Sequence, residues 1–200
     1  MERDWAGNKK STFVQLAASN HSKKDREIND YYATHPQALV IFLKKLKQDG
    51  INLNRNIWEC ACGEGHLSKV LIDNGYNVFS SDKIDRGYGM VKDFLTCEEK
   101  FDGDILTNPP YKNANLFVKT ALKKVEDGNY VIMFLKIQFL ESKARKILFN
   151  EFPPKYVYVH SERQYCAING QFEKVKSSAV CYAWFIWKKG YKGEPIIRWI

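Results

Sequence analysis

Apolar residues in this chain fall into short runs closed by breakers. The run 102–106 ends abruptly in Thr107-Asn108-Pro109-Pro110-Tyr111. A run of that length reads as a buried strand, and two prolines stop it because neither donates to a ladder and each restricts the residue before it. Comparable runs predict strands over 56–62, 77–82, 90–95, 130–135, 156–159 and 179–187, with 195–200 as an added edge. Apolar residues at helical spacing predict helices from Pro36 to about Gly50, over 66–74, 114–126 and 141–150. Pro36 suits a first helical turn, with an N-cap expected near Thr34.

The order of these elements predicts the fold class. Strands alternate with helices as far as the fifth strand, the pattern of a doubly wound α/β fold with a mostly parallel sheet. No helical pattern separates the strands at 156–159 and 179–187, so these two are expected to pair antiparallel. The expectation is a seven-stranded sheet with the antiparallel seventh strand at one edge. Residues 28–200 read as one domain, and residues 1–27 as a polar, basic N-terminal arm. The segment 161–177 is a polar loop.

Composition narrows the class. With 44% hydrophobic and 27% charged residues the chain is globular and not disordered. No apolar run reaches the ~20 residues of a membrane span, and the N-terminus lacks an apolar signal region, so a cytoplasmic protein is expected. Five cysteines without framework spacing suggest a reducing compartment. Cys60 and Cys62 lack zinc spacing and the four histidines do not cluster, so no metal site is expected. A net charge of +8 favours a polyanionic partner.

Candidate chemistry gathers at strand ends. In open α/β sheets that edge is where ligands sit. The first strand-to-helix turn, 59–67, contains Gly63 and Gly65, which let backbone approach a ligand where a helix begins. By itself Gly-x-Gly is a weak signal, and it lacks the third glycine of the dinucleotide fingerprint. Asp82, ending the next strand, can accept from two ribose hydroxyls. Asp93 can bond an adenine amine and Phe94 can stack on its ring. At the organising stretch an amide, Asn108, and a ring, Tyr111, stand on stiff backbone.

Taken in this order, these features resemble the class I methyltransferases that use S-adenosyl-L-methionine. More narrowly, they resemble the phage- and prophage-type amino-methyltransferases of DNA adenine. The stretch 30–36 is similar to that family's upstream methionine-contacting motif, implying cofactor contacts from Tyr32, Thr34 and Pro36. The stretch from Trp58 to Leu67 is similar to its glycine-rich motif, implying contacts from Glu59, Cys60, Ala61, Gly63, Gly65, His66 and Leu67. Asp82 with Lys83, and Asp93 with Phe94, match its ribose and adenine contacts. Asn108-Pro109-Pro110-Tyr111 matches its catalytic motif, with Asn108 also beside the cofactor, and the Trp-rich tail from Tyr182 to Ile200 looks like the phage subgroup. The chain departs from the family at Cys60, where proline is common, and at His66, where a small or apolar residue is more usual. It also has no large extra segment for target recognition.

The resemblance implies methylation of an exocyclic adenine amine. The Asn108 side-chain oxygen and the Pro109 carbonyl would accept its two hydrogens, freeing the nitrogen lone pair, and Tyr111 would stack on a flipped-out base. Lys112, Lys136, Arg163 and Lys174 are candidate DNA-backbone contacts, with Lys143 a further basic residue on the same rim. Two acceptors remain open beside DNA adenine, namely an RNA base and a protein glutamine, since each is a planar nitrogen. A non-catalytic binding module on a degenerate fold is a further alternative, against which stand Gly63, Gly65, Asp82 and Asn108.

Overall fold

The computed structural model describes residues 31–164, 166–168, 170, 172 and 180–200. The N-terminal arm 1–27 and Lys174 lie outside them.

The centre of the molecule is a sheet whose strands are β2 (Asn56–Glu59), β3 (Asn77–Asp82), β4 (Met90–Val91), β5 (Asp104–Thr107), β6 (Tyr130–Lys136), β7 (Tyr156–Val159), β9 (Tyr182–Lys188) and β10 (Ile196–Trp199). Their order across the sheet is β10-β7-β9-β6-β5-β2-β3-β4. Every neighbouring pair is parallel except the two that involve β9, which runs against both β6 and β7. Among the described residues four helices connect or flank these strands: α1 (Pro36–Gln48), α2 (His66–Asp73), α3 (Ala114–Lys124) and α4 (Lys143–Glu151). The doubly wound α/β class is therefore the observed one.

Among the described residues the sheet has eight strands, because 196–199 adds an edge parallel to β7. The antiparallel strand lies inside the sheet and not at its edge. Its composition explains this. Tyr182 to Trp187 are all buried, and alternate residues serve opposite faces: Ala183, Phe185 and Trp187 join one apolar cluster, Tyr182, Trp184 and Ile186 the other. A strand that is apolar on both faces needs cover on both. In β10, Ile196, Ile197 and Trp199 remain exposed, as an edge strand allows.

The same alternation divides the parallel strands. Trp58, Ile105 and Met133 face α3, while Ile57, Leu106 and Ile132 face α1 and α2. The two clusters make the core layers that fix the strand ends in space. Asp104 starts β5, where its carboxylate accepts from the backbone N–H of Asn54 at 2.6 Å and of Tyr130 at 2.7 Å. Burial nevertheless pushes Asp104 up to about 6.

A second, small sheet is absent from the sequence-based expectation. β1 (Tyr32–Thr34) pairs antiparallel with β8 (Cys166–Ile168), so part of the expected 161–177 loop is a strand. Thr34 belongs to β1, and the cap of α1 is His35 instead, whose Nδ1 accepts from the Gln37 N–H at 3.2 Å.

Candidate active site

In the sheet order the chain leaves β2 for β3 on one side and reaches β5 on the other. A crevice opens at such a switch point, beyond the carboxyl ends of the strands. Here it is a cleft of about 360 Å³. Among its lining residues are Tyr32, Thr34, Glu59, Cys60, Ala61, His66, Leu67, Asp82, Lys83, Asp93, Phe94, Asn108, Pro109, Pro110, Tyr111 and Lys112. The structure thus brings most of the expected site residues to one cavity. Pro36, Gly63 and Gly65 are not on its lining: Pro36 is the first residue of α1, and the two glycines shape the turn behind the wall.

Asn108 follows β5 directly, and its amide is held from one side. Nδ2 donates to the Tyr32 carbonyl at 2.9 Å and to Thr34 Oγ1 at 2.8 Å. A carbonyl only accepts, so the NH₂ end of the amide must face β1. Asn108 Oδ1 is then the other end, buried and, among the described residues, without a hydrogen-bond partner. A buried acceptor left unpaired costs roughly 1–3 kcal/mol, and in a cleft it marks a place where a donor is expected.

Pro109 is buried, and the 3-10 turn Tyr111–Asn113 leads into α3. Tyr111 lies against Tyr32 with ring centroids 6.1 Å apart and planes at 28°. The Lys136 ammonium sits 4.8 Å from the Tyr111 ring centre. The Tyr111 hydroxyl meets Cys166 Sγ at 3.5 Å, which ties β8 to the Asn-Pro-Pro-Tyr stretch. Burial raises the Tyr111 phenol well above its ordinary range, so it stays neutral.

On the opposite wall, Asp82 accepts from the Gly63 N–H at 2.9 Å and the Ile84 N–H at 3.0 Å. Each carboxylate oxygen keeps a free lone pair. Gly63 and Gly65 have φ of 53° and 79°. A β-carbon on Gly63 would strike the Tyr31 ring, and one on Gly65 the Tyr88 ring. The bodies that approach these glycines closely are therefore two tyrosine rings of the same chain. Asp93 pairs with Lys83 at 2.9 Å, which holds its carboxyl below the usual range. Phe94 is 1% exposed, stacked on Phe117 and edge-on to Trp58. Its stacking partner here is thus a core ring, and it meets the cleft as a wall.

Glu59 and His66 complete the inner end. Glu59 is fully enclosed, and desolvation, with the nearby Asp82 charge, pushes it up to about 7 despite a hydrogen bond from Ser68 Oγ. His66 Nε2 lies 3.1 Å from Glu64 Oε2. The expected nucleic-acid contacts are only partly gathered. Lys112 is exposed at the cleft and Lys136 covers Tyr111, whereas Arg163 donates to Cys181 Sγ. Tyr31, Arg86, Tyr88 and Cys166 are site components that sequence reading missed. Tyr31 lies inside the expected 30–36 motif but without an expected role there, and nothing in the sequence signals that Cys166 meets Tyr111. Among the described residues no group of His, Cys, Asp or Glu could hold a metal, and no helix is long and apolar enough to cross a membrane.

No protein-family model and no curated protein matches the chain. Solved structures do. A putative RNA methyltransferase from Pyrococcus horikoshii superposes with a TM-score of 0.62 at 14% identity, covering 92% of this chain and 99% of that one. A putative class I S-adenosylmethionine-dependent methyltransferase from Listeria monocytogenes gives a TM-score of 0.59 at 15% identity, over 94% of this chain and 72% of that one. The modification subunit of a putative type I restriction enzyme from Vibrio vulnificus gives 0.57 at 12% identity, over 96% of this chain and 50% of that one. The chain has the fold of class I S-adenosylmethionine-dependent methyltransferases.

Proposed function

We propose that this chain transfers a methyl group from S-adenosyl-L-methionine to the exocyclic amine of adenine in DNA. The observation that carries the reading is Asn108: its Nδ2 is anchored on β1 and its Oδ1 is a buried acceptor without a donor among the described residues. A planar amine supplies the missing N–H. The cleft volume lies within the range of small-molecule sites.

The residues present fit the donor. Asp82 keeps lone pairs for ribose hydroxyls, Asp93 stands near for an adenine amine, and Glu59, Cys60, Ala61, His66 and Leu67 with β1 wall the methionine end. When bound, the donor supplies a methyl activated by its sulfonium. The chain's own work is positional. Asn108 Oδ1 and the Pro109 carbonyl accept both amine hydrogens, drawing the nitrogen toward tetrahedral geometry and turning its lone pair outward. Two prolines keep those acceptors rigid, and Thr34 and the Tyr32 carbonyl keep the amide from flipping. No strong base is required, which suits an amide at this position. The nitrogen becomes strongly acidic once the methyl–sulfur bond has broken and the methyl–nitrogen bond has formed, and it gives its proton to water. Tyr111 is the ring for the target base, with Lys136 beside it, and Lys112 and Lys136 are backbone contacts for a polyanion. Arg163 and Lys174 are further candidates for that contact.

The test is incubation of purified protein with methyl-labelled S-adenosylmethionine and DNA, RNA or protein, followed by nucleoside analysis. Label in N6-methyldeoxyadenosine is the expected result. Equal or greater label in RNA or protein would overturn the choice of acceptor.

A further inference from the structure

We propose that Arg86 is an oxyanion-binding residue of this cleft, taking a carboxylate or phosphate oxygen of a bound ligand; the proposal rests on the reading of the cleft as a methyl-donor site. Arg86 lies in the loop after β3 and lines the cavity with Asp82 and Asn108. Its guanidinium carbon sits 4.1 Å from the centre of the Tyr31 ring. A ring face orients a guanidinium without neutralising it.

Two facts mark Arg86 as incomplete. Its Nε is buried and has no acceptor among the described residues. It also forms no ion pair among the described residues, although the cleft is rich in carboxylates. Those carboxylates are engaged elsewhere: Asp82 by the Gly63 and Ile84 N–H groups, Asp93 by Lys83, Glu59 by Ser68. Other arginines contrast with it. Arg198 pairs with Asp49 at 2.5 Å, and Arg145 donates to the carbonyls of Gln138 and Glu141. A guanidinium is always charged, so withdrawing part of it from water without a partner costs more than for a neutral donor. That cost is recovered when an anion arrives.

Position narrows the ligand. Tyr31, under Arg86, packs on the Gly63 α-carbon, and its hydroxyl donates to Glu64 Oε2 and accepts from the Glu64 N–H. Arg86 is thereby fixed over the glycine turn at the start of α2, while Lys83 from the same loop is committed to Asp93. An oxyanion over that turn belongs either to the amino-acid tail of the donor or to a phosphate of the acceptor strand.

Calorimetry separates these sources. The probes are S-adenosylhomocysteine, which carries the carboxylate, 5′-methylthioadenosine, which lacks the amino-acid tail, and a short single-stranded oligodeoxynucleotide. Arg86→Gln is expected to weaken S-adenosylhomocysteine roughly 10- to 100-fold, the loss of a charge-assisted pair, and to leave methylthioadenosine unchanged. Unchanged methylthioadenosine affinity also shows that the variant is folded. Arg86→Lys should recover part of the loss. If the oligonucleotide weakens instead, the oxyanion is a phosphate and the role of Arg86 stands. Unaltered affinity for both charged probes would overturn the proposal. If the wild-type protein binds neither adenosine compound, the donor-site reading fails by itself, and the oligonucleotide alone decides Arg86.

Discussion

Asn108 Nδ2 donates to Thr34 Oγ1 at 2.8 Å, across 74 positions of sequence. This bond and its companion to the Tyr32 carbonyl decide how the amide is turned, with Nδ2 toward β1 and Oδ1 away from it. Thr34→Val removes one of the two restraints at nearly constant shape. Methyl transfer should fall about 10-fold while donor affinity stays within a few-fold, because the lost bond positions the acceptor atom and not the donor. Single-turnover rates measured beside calorimetric affinities check this. Parallel loss of both would make Thr34 a donor contact.

The same geometry explains why an amide stands at 108. In Asn108→Asp one carboxylate oxygen would face the Tyr32 carbonyl, replacing a hydrogen bond by repulsion between two acceptors. The variant should lose about 1–3 kcal/mol of stability in denaturant unfolding at pH 7 and transfer methyl more slowly than wild type. Asn108→Ala should abolish transfer with donor affinity almost intact. An Asp variant as stable and active as wild type would mean that β1 does not hold this side chain in solution.

The sequence made the ends of the parallel strands legible because local chemistry marks them: prolines after Asn108, glycines after Glu59, an acid at Asp82. The alternation of β and α patterns likewise carried the fold class. What stayed hidden depends on distant pairing. Nothing local to Thr34 or Cys166 says that their strands meet, since the β1–β8 ladder joins residues on either side of the whole sheet. The interior place of β9 follows from both its faces being covered, a property of its neighbours as much as of its own residues. Arg86 is one of many basic residues until Tyr31 is seen beneath it.

Gly63 is required twice, by its φ of 53° and by the Tyr31 ring lying on its α-carbon. Gly63→Ala should cost about 1–3 kcal/mol from backbone strain and further stability from the collision, and it should weaken donor binding by tilting the turn. Tyr31→Ala should relieve the collision only. The double variant is therefore expected to be more stable than the sum of the two single losses, as thermal unfolding of all four proteins will show. Simple additivity would place Tyr31 away from Gly63.

Glu59 and His160 make opposite contributions to stability over one pH range. Glu59 is raised from 4.5 to about 7 by burial, so its contribution is fully present below pH 4.5 and is lost as pH rises through 7. His160 is lowered from 6.5 to about 4, also by burial, and its Nε2 has no partner among the described residues. Below pH 6.5 the unfolded chain takes up a proton that the folded one resists, so His160 costs stability as pH falls toward 4. Measured without ligand, Glu59→Gln should therefore gain on wild type by about 3 kcal/mol between pH 4.5 and pH 7.5. His160→Gln should gain on wild type by a similar amount, about 3 kcal/mol, but in the other direction, between pH 7 and pH 4. Urea unfolding at a series of pH values reads both differences, and the comparison with wild type cancels every other titrating group. A constant difference for Glu59→Gln would mean that water reaches Glu59 and that its carboxyl ionises normally at the inner end of the cleft.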